Sequence, residues 1–144
     1  MKKFFIIFLF LCVSAISAMA RDFNVTVAVR ADSDEMSQQV ENYLLGELSQ
    51  LKDVRISQNG DWSIRVMVLE NKVPEGSEKS YTLSAVITSE SKCTVINTQG
   101  KTVSAQECDR FENFGVFAGT KTNLKDMCEE LIADFDANNL DPLR

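Results

Sequence analysis

Histidine is absent from this chain of 144 residues, and proline (2), tryptophan (1) and tyrosine (2) are scarce. Without histidine there is no Ser–His–Asp triad, no imidazole proton shuttle and no His-ligated zinc. Two prolines and six glycines are too few for a low-complexity or collagen-like chain, and a 44% hydrophobic content fits a folded one. Positive charge is short as well. Fifteen Lys and Arg against 21 Asp and Glu leave a formal charge of −6, which argues against nucleic acids and anionic membranes as partners.

Long apolar runs are equally rare, and the clearest one opens the chain. Lys2 and Lys3 precede ten uninterrupted apolar residues, Phe4 to Val13, and Ala18-Met19-Ala20 follows with small residues where a signal peptidase reads. This predicts a secretory leader, residues 1–20, cleaved after Ala20. A membrane anchor needs about 20 apolar residues, so the run is too short to span. Cys12 follows Leu11, a poor context for lipidation. Residues 21–144 are then a single exported domain, in a bacterial style that points to the periplasm or to secretion, with no membrane insertion of the mature chain. Loss of Lys2 and Lys3 takes its charge to −8.

Along that domain, Phe23, Val25, Val27 and Val29 alternate with polar or small residues, the period of a half-buried strand. Asp32, Ser33 and Asp34 offer N-caps for a helix whose apolar stripe is Met36, Val40, Tyr43, Leu44, Leu48 and Leu51. A short strand carries Val54 and Ile56. Asn59-Gly60 then predicts a hairpin into a strand with Trp62, Ile64, Val66 and Val68. Residues 71–79 read as an exposed loop, and Tyr81 to Ile87 as a further strand. Ser89 to Lys92 reads as a turn into Cys93–Thr98, which turns again at Gln99-Gly100-Lys101 into Thr102–Glu107. Leu124, Met127, Cys128, Leu131, Ile132 and Phe135 form the stripe of a closing helix, with Thr122 or Asn123 as its cap. The expected fold is α+β: a two-layer sandwich with a mixed, mostly antiparallel sheet and two helices on one face, in the order β-α-β-β-β-β-β-α.

That order, carried by Val25 to Ile64 with Leu44, Leu48, Val54 and Ile56 as landmarks and closed by Leu124 to Phe135, resembles small envelope modules. The amino-terminal domain of TolB and the penicillin-binding-protein activator lipoproteins follow it. The present chain departs from them in having no propeller domain and no lipidated Cys. The resemblance implies a non-catalytic module that binds other envelope proteins.

Three cysteines remain after the leader: Cys93, Cys108 and Cys128. An exported chain meets an oxidising compartment, so a disulfide is expected. A two-residue Gly100-Lys101 turn would set Cys93 opposite Cys108, which favours that pair. A bridge to Cys128, or none, stays open. Cys128 sits in a helical stripe as a small apolar residue, and as a nucleophile it would lack a basic partner.

Other polar clusters have ordinary explanations. Asp32 to Glu35 suits helix capping better than calcium, and Gly119-Thr120-Lys121-Thr122 echoes a phosphate loop without its spacing. No motif implies a cofactor, a metal site or a catalytic constellation. Phe111, Phe114 and Phe117 crowd into seven positions. They form either an edge strand packed on the core or an exposed aromatic patch for a protein partner. The expected function is therefore a periplasmic binding or accessory protein acting through contact with an envelope protein. A small-molecule or envelope-polymer binder, or a carboxylate- or Cys-based enzyme, is the alternative.

Overall fold

The structure, a computed structural model, describes residues 22–144, so the expected leader lies outside the described residues. Strand β1 (Phe23–Ala31) leads to helix α1 (Asp34–Leu48), then to β2 (Val54–Ile56), β3 (Trp62–Asn71), β4 (Ser80–Ile96), β5 (Thr102–Thr120) and helix α2 (Leu124–Phe135). The five strands form one sheet in the order β2-β1-β3-β4-β5. Strand β1 is parallel to both β2 and β3, while β3–β4 and β4–β5 are antiparallel and longer. The α+β sandwich expected from the sequence is present.

The helices form where their stripes predict. Ser33 caps α1, its Oγ accepting the Met36 N–H at 3.2 Å, and Ser37 Oγ donates to the Val29 carbonyl at 2.9 Å, tying the helix to β1. Val40, Leu44 and Leu48 are buried, as are all six stripe residues of α2. They meet Val25, Ile64, Val66 and Leu83 in one core, so both helices cover one sheet face. Trp62 and Phe135 pack edge to face with ring centroids 5.6 Å apart. Asn123 stands at the N-cap of α2, but its side chain serves the turn before it, accepting from the Thr120 hydroxyl at 2.8 Å.

Two local readings are corrected. Asn59-Gly60 makes no hairpin, because β2 and β3 run the same way on opposite sides of β1, both meeting it at Val25. The intervening loop passes across β1 there. Gly60 donates its N–H to Thr26 Oγ1 at 2.8 Å, and a Cβ on Gly60 would lie 2.7 Å from the Asn24 carbonyl oxygen. The glycine serves a close backbone approach, not a turn. Likewise Ser89–Lys92 is no turn. β4 and β5 are continuous strands of 17 and 19 residues, so four expected segments are two, and the sheet has five strands. From Glu90 to Arg110 no residue is buried, and this stretch forms a two-stranded ribbon projecting past the core.

Candidate functional site

Among the described residues, nothing but the loop that crosses β1 covers the sheet face turned away from the helices. On β3 and β4 the strand alternation puts Ser63, Arg65, Met67 and Leu69 and then Thr82, Ser84, Val86 and Thr88 on that face. Strand β5 completes it, and there the aromatic segment divides. Phe111 and Phe114 are three residues apart, a spacing that puts side chains on opposite faces of a regular strand. A bulge lies between them: Ile87 pairs with Asn113 and Thr88 with Phe111, leaving Glu112 as the extra residue. Phe111 and Phe114 therefore share the open face, at 59% and 65% exposure, with Val116 at 61%. Phe117 turns the other way and packs on the core. Its ring occupies the space above Gly115 beside Leu131. Of the two readings of the segment, the exposed patch holds for Phe111 and Phe114, and core packing for Phe117.

The exposed apolar side chains adjoin one another. Val86 pairs with Phe114, Ser84 lies between Met67 and Val116, and Met67, Leu69 and Val86 are 42–48% exposed. Lone exposed apolar residues are ordinary on protein surfaces, whereas a contiguous patch marks an interaction site. Beside it, Ala28, Arg30, Arg65, Met67 and Val86 line an open trough of about 660 Å³.

The root of the ribbon borders this patch and is held by polar bonds. The Glu112 carboxylate accepts from the Ser89 hydroxyl and from Arg110 Nε, the latter at 2.7 Å. Burial pushes the Glu112 carboxyl upward, but those two donors outweigh it and hold it below the usual range. Arg65 reaches across from β3 to Asp109 at 3.0 Å. Glu90 lies opposite Asp109, and the charge of Glu107 raises its pKa most, followed by burial, with Asp61 and Asp109 adding to it.

Farther out, Cys93 and Cys108 form a disulfide with Cα atoms 5.9 Å apart. The pairing expected from the sequence is present, but its register is two residues off. Cys93 pairs with Gln106 and Ser91 with Cys108, so the bridge is diagonal. The turn has three residues, Thr98-Gln99-Gly100, and not two. Asn97 N–H donates to the Lys101 carbonyl, Asn97 Oδ1 accepts from Gln99 and Lys101, and Gly100 adopts φ +76°. Cys128 is free and fully buried, and burial, with a smaller effect of Glu47, pushes its thiol to about 12. It is protonated at neutral pH and packs as an apolar residue.

The remaining candidates are structural. Ser33 caps α1 while Asp32 accepts the Glu70 N–H at 3.1 Å. Thr120, Thr122 and Asn123 bond among themselves at the turn before α2. One cluster had no signal in the sequence. Arg144 is held by Asp53, Asp136 and Asp141, which raise its pKa, and Asp53 is lowered in return, chiefly by that hydrogen bond.

No protein-family model matches the chain, and no curated protein matches it. Among solved structures it is similar to the PelC dodecamer from Paraburkholderia phytofirmans, at 19% identity and TM-score 0.43, covering 83% of this chain and 90% of that one. It is similar to the hypothetical protein CT253 from Chlamydia trachomatis, at 7% identity and TM-score 0.47, covering 81% and 97%. A minor lipoprotein from Acinetobacter baumannii matches at 14% identity and TM-score 0.32, covering 80% and 91%. These likenesses are of overall architecture, and at such values they carry no argument about function.

Proposed function

We propose that the chain is a small exported accessory protein of the bacterial envelope that works by protein–protein contact and not by catalysis. The observation that carries this is the open sheet face, where Phe111, Phe114 and Val116 stand more than half exposed beside Val86, Met67 and Leu69. Burying such a patch is worth about 25 cal/mol per Å² of apolar area, and aromatic residues dominate contact energetics. The secretory leader and a disulfide suited to an oxidising compartment support export to the periplasm. The resemblance read from the sequence to the TolB amino-terminal domain and the penicillin-binding-protein activators points to a binding role as well. Cys128, buried and protonated, offers no nucleophile.

Phe111→Ser with Phe114→Ser tests the reading. Both side chains leave the core untouched, so the variant should fold with native circular dichroism and lose its cross-links to envelope protein in cells. Unchanged cross-linking would overturn the proposal. The trough between Arg30 and Arg65 favours a second reading, an anionic small molecule or envelope polymer lying on the same face. Retention on an anionic polymer column that Arg30→Ala abolishes would select it.

A further inference from the structure

Strand β5 ends the sheet on one side, and among the described residues no strand lies beyond it. Glu90 donates its N–H to the carbonyl of Asp61, just before β3, at 2.7 Å. Even-numbered residues of β4 therefore bond toward β3 and odd-numbered ones toward β5, where Tyr81, Leu83 and Ala85 face Gly119, Phe117 and Gly115. The backbone N–H and C=O groups of Phe114, Val116, Ala118 and Thr120 then point out of the sheet edge. Two of those donors are already taken by side chains. Phe114 donates to Asn113 Oδ1 at 2.8 Å, and Thr120 to Asn123 Oδ1 at 3.4 Å. Between them, Val116 and Ala118 are exposed and their outward groups have no partner among the described residues. Edge strands are ordinarily guarded by charge, proline or a bulge. On β5 such guards stop at Asp109, Arg110 and the Glu112 bulge, and from Asn113 to Thr120 the strand has no charged residue and no proline.

We propose that this edge is a homodimer interface, in which β5 of a second copy pairs antiparallel with it about a two-fold axis at Phe117. In that register Val116 of each copy faces Ala118 of the other, and every open donor and acceptor of both residues is paired. Moving the axis one residue either way sets an open carbonyl against a donor already taken, Ala118 against Phe114 or Val116 against Thr120. A ladder whose open donors lie symmetrically about one residue is answered by its own antiparallel copy, and this names the partner. Phe117 meets its counterpart across the axis in a non-hydrogen-bonded pair, where side chains come closest, and its own chain covers its ring only in part. No charge faces another from 114 to 120. The paired stretch is about 23 Å long, a contact below the standard size of specific interfaces. Its dissociation constant should accordingly lie at about 10–100 μM. Two five-stranded sheets become one, with the open faces side by side and Phe114 and Val116 of both copies joined in one patch. The proposal does not rest on the reading of the open face as a contact surface, but it enlarges that surface.

Sedimentation velocity tests the proposal, on protein expressed with its own leader and purified from the exported fraction, at about 5 to 500 μM. The wild type should dimerise. Ala118→Pro removes one outward N–H where an edge strand tolerates proline, and Ala118→Lys supplies the charge that ordinarily guards an edge. Each should keep native circular dichroism and raise the dissociation constant about tenfold or more. Met67→Ser, on the open face two strands inward, should leave the constant unchanged. Mixing Val116→Cys with Ala118→Cys in oxidised glutathione should give a cross-linked pair, and neither variant should link to itself, because 116 faces 118 across the axis. A wild type that stays monomeric at about 500 μM overturns the proposal. So does a dimer indifferent to both changes at Ala118, or a cysteine variant that links to itself as readily as to the other. The wider reading is decided separately, by the cross-links that Phe111→Ser with Phe114→Ser retains or loses in cells.

Discussion

Phe114 and Phe117 lie three residues apart on one strand and should respond to the same substitution in opposite ways. The Phe117 ring is half-buried against the core, over Gly115 and beside Leu131. Removing a fully buried Phe costs about 3–5 kcal/mol, so a half-buried ring should be worth about 2 kcal/mol. Unfolding entropy near 2.1 cal/mol/K per residue, over roughly 120 residues, makes 1 kcal/mol equal to about 4 °C in melting temperature. Phe117→Ser should therefore melt about 8 °C lower than the parent. Phe114 is 65% exposed on the other face, and Phe114→Ser should move the midpoint by no more than about 2 °C. Thermal unfolding by circular dichroism, on monomeric protein at low concentration, reads both. A Phe114→Ser variant as unstable as Phe117→Ser would mean that Phe114 packs within its own chain. The open face, and the contact assigned to it, would then be refuted.

Four further outcomes follow from the same geometry. Gly60→Ala forces a Cβ against the Asn24 and Thr26 backbone and should destabilise by about 2 kcal/mol or more, whereas Gly46→Ala meets nothing and should be neutral or stabilising; equal melting temperatures would contradict this. Replacing Cys93 and Cys108 by Ser opens a loop with a separation of 15 residues, worth about 3 kcal/mol in the chain-entropy model. Because nothing from Glu90 to Arg110 is buried, the loss should appear as faster amide exchange in the ribbon, with protected core strands, and uniform exchange would refute that. Glu90→Gln should raise the melting temperature at neutral pH, because Glu107 holds the Glu90 pKa up and the repulsion is present only above it; the gain should vanish at pH 3, where Glu90 is protonated. Asp53 and Glu112 carry the opposite sign, since their lowered pKa values stabilise the fold above the ordinary carboxylate range and are lost as pH falls. Arg144→Ala should remove the Asp53 part, at a cost on the order of 1 kcal/mol or less, and leave an acid titration of stability set more by Glu112.

Local periodicity revealed the helices and the covered faces of the strands, because burial on one side imposes a period that any short window displays. The six-residue stripe of α2 is an example, and so is the alternation of Trp62, Ile64, Val66 and Val68. Partners across the sheet were harder to read. Asn59-Gly60 has the composition of a hairpin, but β1 lies between β2 and β3, and the glycine is needed for the crossing. Glu90 to Lys92 are as polar as a turn because the ribbon is solvated on both faces, and the buried Ser89 before them serves a hydrogen bond to Glu112, so no hydrophobic alternation marks the strand. The site itself was half legible. Three crowded phenylalanines stood out, but their division between faces depends on one extra residue, Glu112, visible only once β4 and β5 are paired. Arg144 with its three aspartates is assembled entirely by the fold.

The most direct test of the open face as the contact surface is photocross-linking in intact cells from a probe at position 114, with a probe at Asp126 on the exposed side of α2 as control. The expected result is a discrete adduct from 114 alone, at twice the mass of the chain if the partner is a second copy. Adducts of equal yield from both positions, or none from 114 when the protein is present at its natural level, would contradict it.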